Sequence, residues 1–276
     1  MRTRVLVVSG LCGAMLVGCG QVDGPPPVVA EAGEQARGER YRANGIVLED
    51  VTHGPQLCET ATASLKPQCQ GIDIVGWSWE QVAHQDIDGT RHGVFEVVGT
   101  FDGERLTLTE PPGPPRLDRH RQGPDFTSPC PPPAGGWRVV DHAKATDAAL
   151  QKARALVDSA PAAAGAWIDQ NGGENDPKKL VLNVRFTGDL AAHENRLRRV
   201  WGGALCVLPA ARTTADLERV RSDVEASLPG VTATSIDVVE NRVDVRVDVA
   251  TDEDRRAADE RYGPGAVGFT PFLKPL

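Results

Sequence analysis

Beyond residue 18 this 276-residue chain has no long apolar run, no excess of basic residues, no C-x-x-C pair and no familiar catalytic signature. Each absence removes a class of protein. A membrane-spanning helix needs roughly 20 consecutive apolar residues, so no segment after the N-terminus is expected to cross a bilayer. Asp and Glu number 38 against 30 Lys and Arg, a net charge of −8, and this balance argues against nucleic acid as a partner. Without a C-x-x-C pair, a four-cysteine zinc site has nothing to start from. No G-x-S-x-G, H-E-x-x-H, P-loop or G-x-G-x-x-G is present, so no motif makes the case for a hydrolase, a zinc protease or a nucleotide-binding enzyme. The six histidines, at positions 53, 84, 92, 120, 142 and 193, stand apart with no pair at metal-ligand spacing. Neither a metal nor a cofactor is expected.

What is present begins at the N-terminus. Arg2 and Arg4 precede a mostly apolar or small stretch over residues 5–17, which runs into Leu16-Val17-Gly18-Cys19. A positive start followed by a short apolar segment reads as an export signal. Its end resembles the lipobox of bacterial lipoproteins, in which a small residue precedes a cysteine that is diacylated before cleavage. The reading predicts a signal peptide over residues 1–18, lipidation with palmitate-type chains at Cys19, and a location on the extracytoplasmic face of the cell membrane. Several acyl chains hold firmly where one binds marginally, so the membrane itself is the first expected partner. An ordinary secretory signal, with Cys19 incidental, is the alternative. Loss of residues 1–18 removes Arg2 and Arg4 and no acid, which takes the charge from −8 to −10. Residues 19–43 then carry the lipidated cysteine and a Pro-, Gly- and charge-rich tether with an end-to-end reach of about 25 Å if flexible.

Four cysteines remain after Cys12 and Cys19: Cys58, Cys69, Cys130 and Cys206. Outside the cytoplasm an even set reads as disulfides, and four cysteines allow three pairings. Cys58 with Cys69 closes a short local loop, and Cys130 with Cys206 staples a Pro-rich segment to a strand; this pairing is the favoured one.

The fold class expected is α+β. Residues 44–112 alternate like short strands, with Asp102-Gly103 as a hairpin signal, and predict a small β domain, either an OB-like barrel or a sandwich. Prolines crowd residues 113–136, which predicts a connector. Residues 137–276 contain one unit twice. At a shift of 61, Leu182, Val184 and Phe186 fall on Val243, Val245 and Val247, and Trp201-Gly202 falls on Tyr262-Gly263. At a shift of 67, Leu150, Ala153 and Val157 fall on Leu217, Val220 and Val224, with the difference absorbed in residues 171–178. Each unit reads βαββαβ, the order of the ferredoxin-like fold: residues 137–209 for the first and 204–276 for the second, sharing the strand over 204–209. Thr213 with Asp216 predicts a capping box, Thr251 with Asp254 a second cap, and Glu240-Asn241 a hairpin turn. Along residues 242–249 four valines alternate with Arg242, Asp244, Arg246 and Asp248, predicting a strand with its ionic face in water.

Few residues invite chemistry. Trp77 and Trp79, two apart and on one predicted strand face with Val75, suggest an aromatic platform for a sugar or peptide, although such pairs more often fill a core. Asp73, Asp86, Asp88 and Asp102 would have to converge for acid/base work, and their spacing does not require it. Trp201 and Tyr262, each followed by Gly, predict packing at helix ends with a glycine cap. His193, opposite Asp254 in the repeat, predicts a solvated position.

Residues 58–79, the Gly99-Thr100-Phe101-Asp102-Gly103 turn and the run Arg199-Val200-Trp201-Gly202-Gly203-Ala204-Leu205-Cys206-Val207 resemble uncharacterised secreted or lipid-anchored proteins of high-GC Gram-positive bacteria. That resemblance implies no activity. The functional expectation is a non-catalytic binding or scaffold protein of the cell envelope, with an envelope protein or wall component as partner. The alternatives are an envelope hydrolase using carboxylates of the β domain, and a protein like the ferredoxin-like pro-domains that chaperone or inhibit proteases.

Overall fold

A computed structural model describes residues 38–116 and 125–276. The predicted signal peptide, Cys19 and most of the tether therefore lie outside the described residues. The protein is mixed α+β, with four α-helices among the described residues and three sheets.

The N-terminal sheet closes into a barrel. Strands β1 (Arg40–Glu49), β2 (Gln56–Cys58), β3 (Ile72–Val75), β6 (Arg105–Leu108) and β5 (Thr90–Phe101) form a ring, because β1 pairs with both β2 and β5. The β1–β5 ladder runs from Arg40↔Thr100 to Glu49↔Arg91, while β3 and β6 are parallel. Of the barrel and sandwich alternatives, the barrel is the one found. Alternation along β1 sends Tyr41, Ala43 and Val47 into the barrel core with Phe95, Val97 and Leu106. Strand β4 (Gln85–Ile87) extends β5 through a turn at Asp88-Gly89, both with positive φ. Asp102 closes the β5–β6 hairpin as expected, its carboxylate accepting from the amides of Glu104 and Arg105.

Two further units follow. The first comprises α1 (Asp147–Asp158), β7 (Ala163–Asp169), β8 (Val181–Phe186), α2 (Leu190–Arg198) and β9 (Ala204–Pro209). The second comprises α3 (Thr214–Ser227), β10 (Val231–Asp237), β11 (Arg242–Val247), α4 (Asp252–Tyr262) and β12 (Val267–Pro271), followed by β13 (Lys274–Pro275). Each unit holds a three-stranded sheet, β7-β8-β9 and β10-β11-β12, with its last two strands parallel. The order is αββαβ and differs from the expected βαββαβ in lacking a first strand. Residues 204–209 do not open the second unit, because every residue of β9 is in parallel register with β8, from Val181↔Ala204 to Phe186↔Pro209. Ahead of α1 the proline-rich chain ends in a 3-10 turn, His142–Lys144, capped by Asp141. Proline has no amide to give a ladder, so that stretch supplies no strand.

The caps follow the sequence: Thr213 with Asp216 and Thr251 with Asp254 both form complete capping boxes. Gly263 caps α4 with φ +89. Gly202 does not cap α2. Its carbonyl accepts from the amides of Val140 and Asp141 at 2.7 and 3.1 Å, and a Cβ there would lie 2.2 Å from the Asp141 carbonyl oxygen. Glycine is needed at 202 for this close approach rather than for a left-handed turn.

The proline-rich segment is more than a connector. Cys130 and Trp137 pack on Val181, Ala204 and Cys206, and the Ser128 amide donates to Asp169, so residues around 128–141 strap the outer face of the β7-β8-β9 sheet. The other face carries α1 and α2 over Leu182, Val184 and Phe186. Strand β8 is consequently buried on both faces, and β11 on one. The C-terminal residues return to the barrel: β13 pairs with β1, and Leu273, fully buried, joins the barrel core.

Candidate functional site

The ionic face of β11 does not simply meet water, as the alternation predicted. At its C-terminal end it faces the barrel. Arg246 reaches Glu59, the residue after Cys58, with Nη1 3.4 Å from Oε1. Asp248, the next residue on that face, is half-buried, and burial reinforced by the negative charge of Glu59 pushes its carboxyl above the usual range. Between the two bodies lies a cavity of about 190 Å³. Leu57, Glu59, Gln70 and Ile72 line the barrel side, while Thr232, Ala233, Arg246, Asp248 and Phe272 line the other. Glu59 and Arg246 pair across this groove, and Asp248 lines it beside them.

Local structure fixes both walls. The Cys58–Cys69 disulfide, with an S–S distance of 1.92 Å, clamps the β2–β3 loop from which Glu59 and Gln70 project. On the far side the amides of Phe272 and Leu273 donate to the carbonyls of Val247 and Asp248, both at 2.9 Å, before Leu273 enters the barrel. Ligand sites favour such junctions between domains, and a carboxyl displaced from its ordinary pKa in a cleft marks a functional candidate.

The second disulfide joins Cys130 to Cys206, so both pairings are those favoured by the sequence. The tryptophans are placed differently. Strand β3 ends at Val75, which is exposed, and Gly76 turns the chain with φ +87. Trp79 then sits in a 3-10 turn, buried, with its Nε1 donating to Glu49 at 2.6 Å, and Trp77 meets it edge-on at 5.2 Å. Arg91 binds the same Glu49 carboxylate and lies 5.8 Å from the Trp79 ring centre. This is packing at the barrel end and not an open platform. The turn at Gly76 is what separates the tryptophans from the strand face.

The four barrel carboxylates take separate partners. Asp73 accepts from Gln56, Asp86 from the Gly89 amide, Asp88 pairs with Lys66, and Asp102 serves its own turn. Among the described residues no group of three or more His, Cys, Asp or Glu converges as metal ligands do. His193 is not solvated as its repeat partner suggested: it is half-buried, its ring stacked on Phe186 at 4.0 Å and 3°. Here α2 differs from α4, because Phe186 offers a ring where β11 has Val247.

The groove itself was missed from the sequence. Its one signal is the pair Arg246 and Asp248 on the polar face of a valine-alternating strand, and which surface that face meets is set by the C-terminal return to the barrel. No helix among the described residues is long and apolar enough to cross a membrane. No protein-family model matches the chain, and no curated protein matches it.

Proposed function

We propose that the protein is an extracytoplasmic binding or scaffold protein of the cell envelope, held to the membrane by acyl chains on Cys19, with the groove between barrel and second unit as its binding site. The observation that carries the binding reading is that groove, bounded by a disulfide-clamped loop and charged by Glu59, Arg246 and Asp248. Both disulfides are closed, which suits an oxidising compartment outside the cytoplasm. The anchor rests on the likeness of Leu16-Val17-Gly18-Cys19 to a lipobox. In this reading the two αββαβ units are ferredoxin-like units that lack their first strand.

The four barrel aspartates offered for the hydrolase alternative, Asp73, Asp86, Asp88 and Asp102, take separate partners, which favours the binding reading over it. A Cys19→Ala chain is expected to leave the membrane fraction and lose acyl label in metabolic labelling; unchanged retention overturns the anchor. Cross-linking in intact cells tests the rest. Capture of an envelope protein or wall fragment through residues lining the groove is the expected result, and recovery of only lipid-modification and export machinery counts against binding.

A further inference from the structure

We infer that a basic patch with an exposed valine, formed where residues 138–144 meet the C-terminal end of α2, docks the folded body onto an anionic lipid surface. The proposal rests on the membrane location read above and goes beyond it by naming the face that meets the bilayer.

The first observation is how the patch is built. The Gly202 carbonyl accepts from the amides of Val140 and Asp141, and the Gly202 amide donates to the Lys144 carbonyl at 3.0 Å, so the chain over residues 138–144 lies against the end of α2. Five cations gather there: Arg138 and Lys144 from that segment, and Arg196, Arg198 and Arg199 from α2 and the residue that follows it. Lys144 pairs with Asp141, and Arg198 with Glu194. The other three are exposed. Arg138 donates to the Gly135 carbonyl, and neither it nor Arg196 nor Arg199 makes an ion pair among the described residues. Asp147, the next acid along the chain, lines a cavity with Phe126 and Ile168 of β7 and not the patch.

The second observation is Val140, which is 67% exposed. Cations in a last helical turn complement the negative end of the helix dipole whatever they face, so Arg196 and Arg198 alone require no ligand. Arg138 and Val140 lie outside the helix and have no such account. An apolar side chain among cations suits an anionic bilayer, where the charges meet headgroups and the side chain enters the interface. The charge of the remaining parts points to the same face. Acids outnumber bases twelve to six in residues 38–116 and thirteen to nine in residues 210–276, whereas residues 125–209 hold ten bases and nine acids. An anionic surface therefore repels the barrel and the second unit, with the groove they share. The nineteen residues from Cys19 to Gly38 span up to about 65 Å when extended, so the anchor lets any face of the body reach the bilayer, and charge decides which one does.

The test compares full chains carrying Cys19→Ala, so that no acyl chain contributes, by co-sedimentation with vesicles of phosphatidylcholine alone or of two parts phosphatidylcholine to one of phosphatidylglycerol. Residues 1–37 are common to all of them, so binding through that segment cancels between variants. Arg196→Gln with Arg199→Gln is expected to weaken binding to the anionic vesicles about twenty-five-fold, at about fivefold for each arginine near the surface, and to leave binding to neutral vesicles unchanged. Val140→Ser is expected to weaken it about fivefold, the effect of half-burying that side chain. Arg255→Gln with Arg256→Gln, the same change of charge on exposed residues of α4, is expected to leave it nearly unchanged. Amide hydrogen exchange over residues 138–144 and 196–203 is expected to slow on anionic vesicles and not on neutral ones. That measurement needs no patch substitution, and it decides alone if a variant fails to fold by circular dichroism. No loss from the Arg196, Arg199 pair, an equal loss from the Arg255, Arg256 pair, protection that spares the patch, or binding to soluble polyglutamate as tight as to anionic vesicles overturns the proposal. None of these measurements depends on acylation, whereas metabolic labelling of Cys19 reads only the anchor, so failure of one is distinguishable from failure of the other.

Discussion

Asp248 carries a cost that depends on pH. Its carboxyl is pushed above the usual range by burial and by Glu59, so the folded protein holds that proton more tightly than the unfolded chain does. The contribution of this group to stability is then most favourable below the ordinary carboxyl range and falls as pH rises through the window between the unfolded and the raised folded value, where the folded state binds more protons. Asp248→Asn removes the charge in both states. Its urea midpoint is expected to exceed that of the unaltered protein at pH 7, and the difference to vanish in acid; an equal gain at both pH values would show that the charge is not the cause. The tryptophans give a second contrast. Trp79 Nε1 donates to the Glu49 carboxylate, whereas Trp77 Nε1 has no hydrogen-bond partner among the described residues. Hydrogen bonds to charged groups contribute about 1.5–3 kcal/mol. Trp79→Phe is expected to cost in that range and Trp77→Phe less, both by urea unfolding. In the sequence the two residues look alike, because nothing local says that Gly76 will break the strand and turn Trp79 toward Glu49.

Strand β8 and strand β11 occupy the same place in the repeat, and their sequences show why one is enclosed. Val-Leu-Asn-Val-Arg-Phe can bury both faces, and Arg-Val-Asp-Val-Arg-Val only one. The number and order of helices and hairpins were legible from periodicity and caps, since these signals are local. The missing first strand was not, because residues 204–209 suit either unit and only the ladder with β8 decides. Both disulfide pairings could be read, as one closes a local loop and the other brings a proline-rich strap to a strand. The strap makes a prediction about elements. In the chain-entropy account a crosslink across 76 residues stabilises by about 4.5 kcal/mol and one across 11 residues by about 3. Replacing Cys130 and Cys206 with alanine is expected to lower the unfolding free energy more than replacing Cys58 and Cys69, and to raise amide exchange in β8 and β9 where the strap lies. A larger loss from the Cys58, Cys69 pair would mean that the strap holds to the sheet without its crosslink.

At the scale of the molecule, the three bodies are joined by contacts that no periodicity announces. Arg185 reaches from the first unit to the carbonyl of Val239 in the second, and its repeat equivalent Arg246 reaches from the second unit to the barrel. Gly165 makes room for the hairpin tip: a Cβ there would sit 2.6 Å from Val238 Cγ1. The return of the last residues to the barrel was the least legible of all. Pro271 and Pro275 argue against a strand, and Phe272-Leu273 is too short to show a period, so only packing across the whole chain assigns them. Yet Leu273 is fully buried among barrel residues while its amide bonds to Asp248 of the second unit. Truncating a buried leucine to alanine costs about 2–5 kcal/mol. If this residue ties the two bodies, its side chain in the barrel and its amide on the second unit, loosening it by Leu273→Ala is expected to take stability from both. Hydrogen exchange under mild urea should then quicken in β5 of the barrel and in β11 of the second unit by similar factors. Acceleration in the barrel alone would show that the second unit folds independently of it, and would leave the groove as a joint between two separately moving parts.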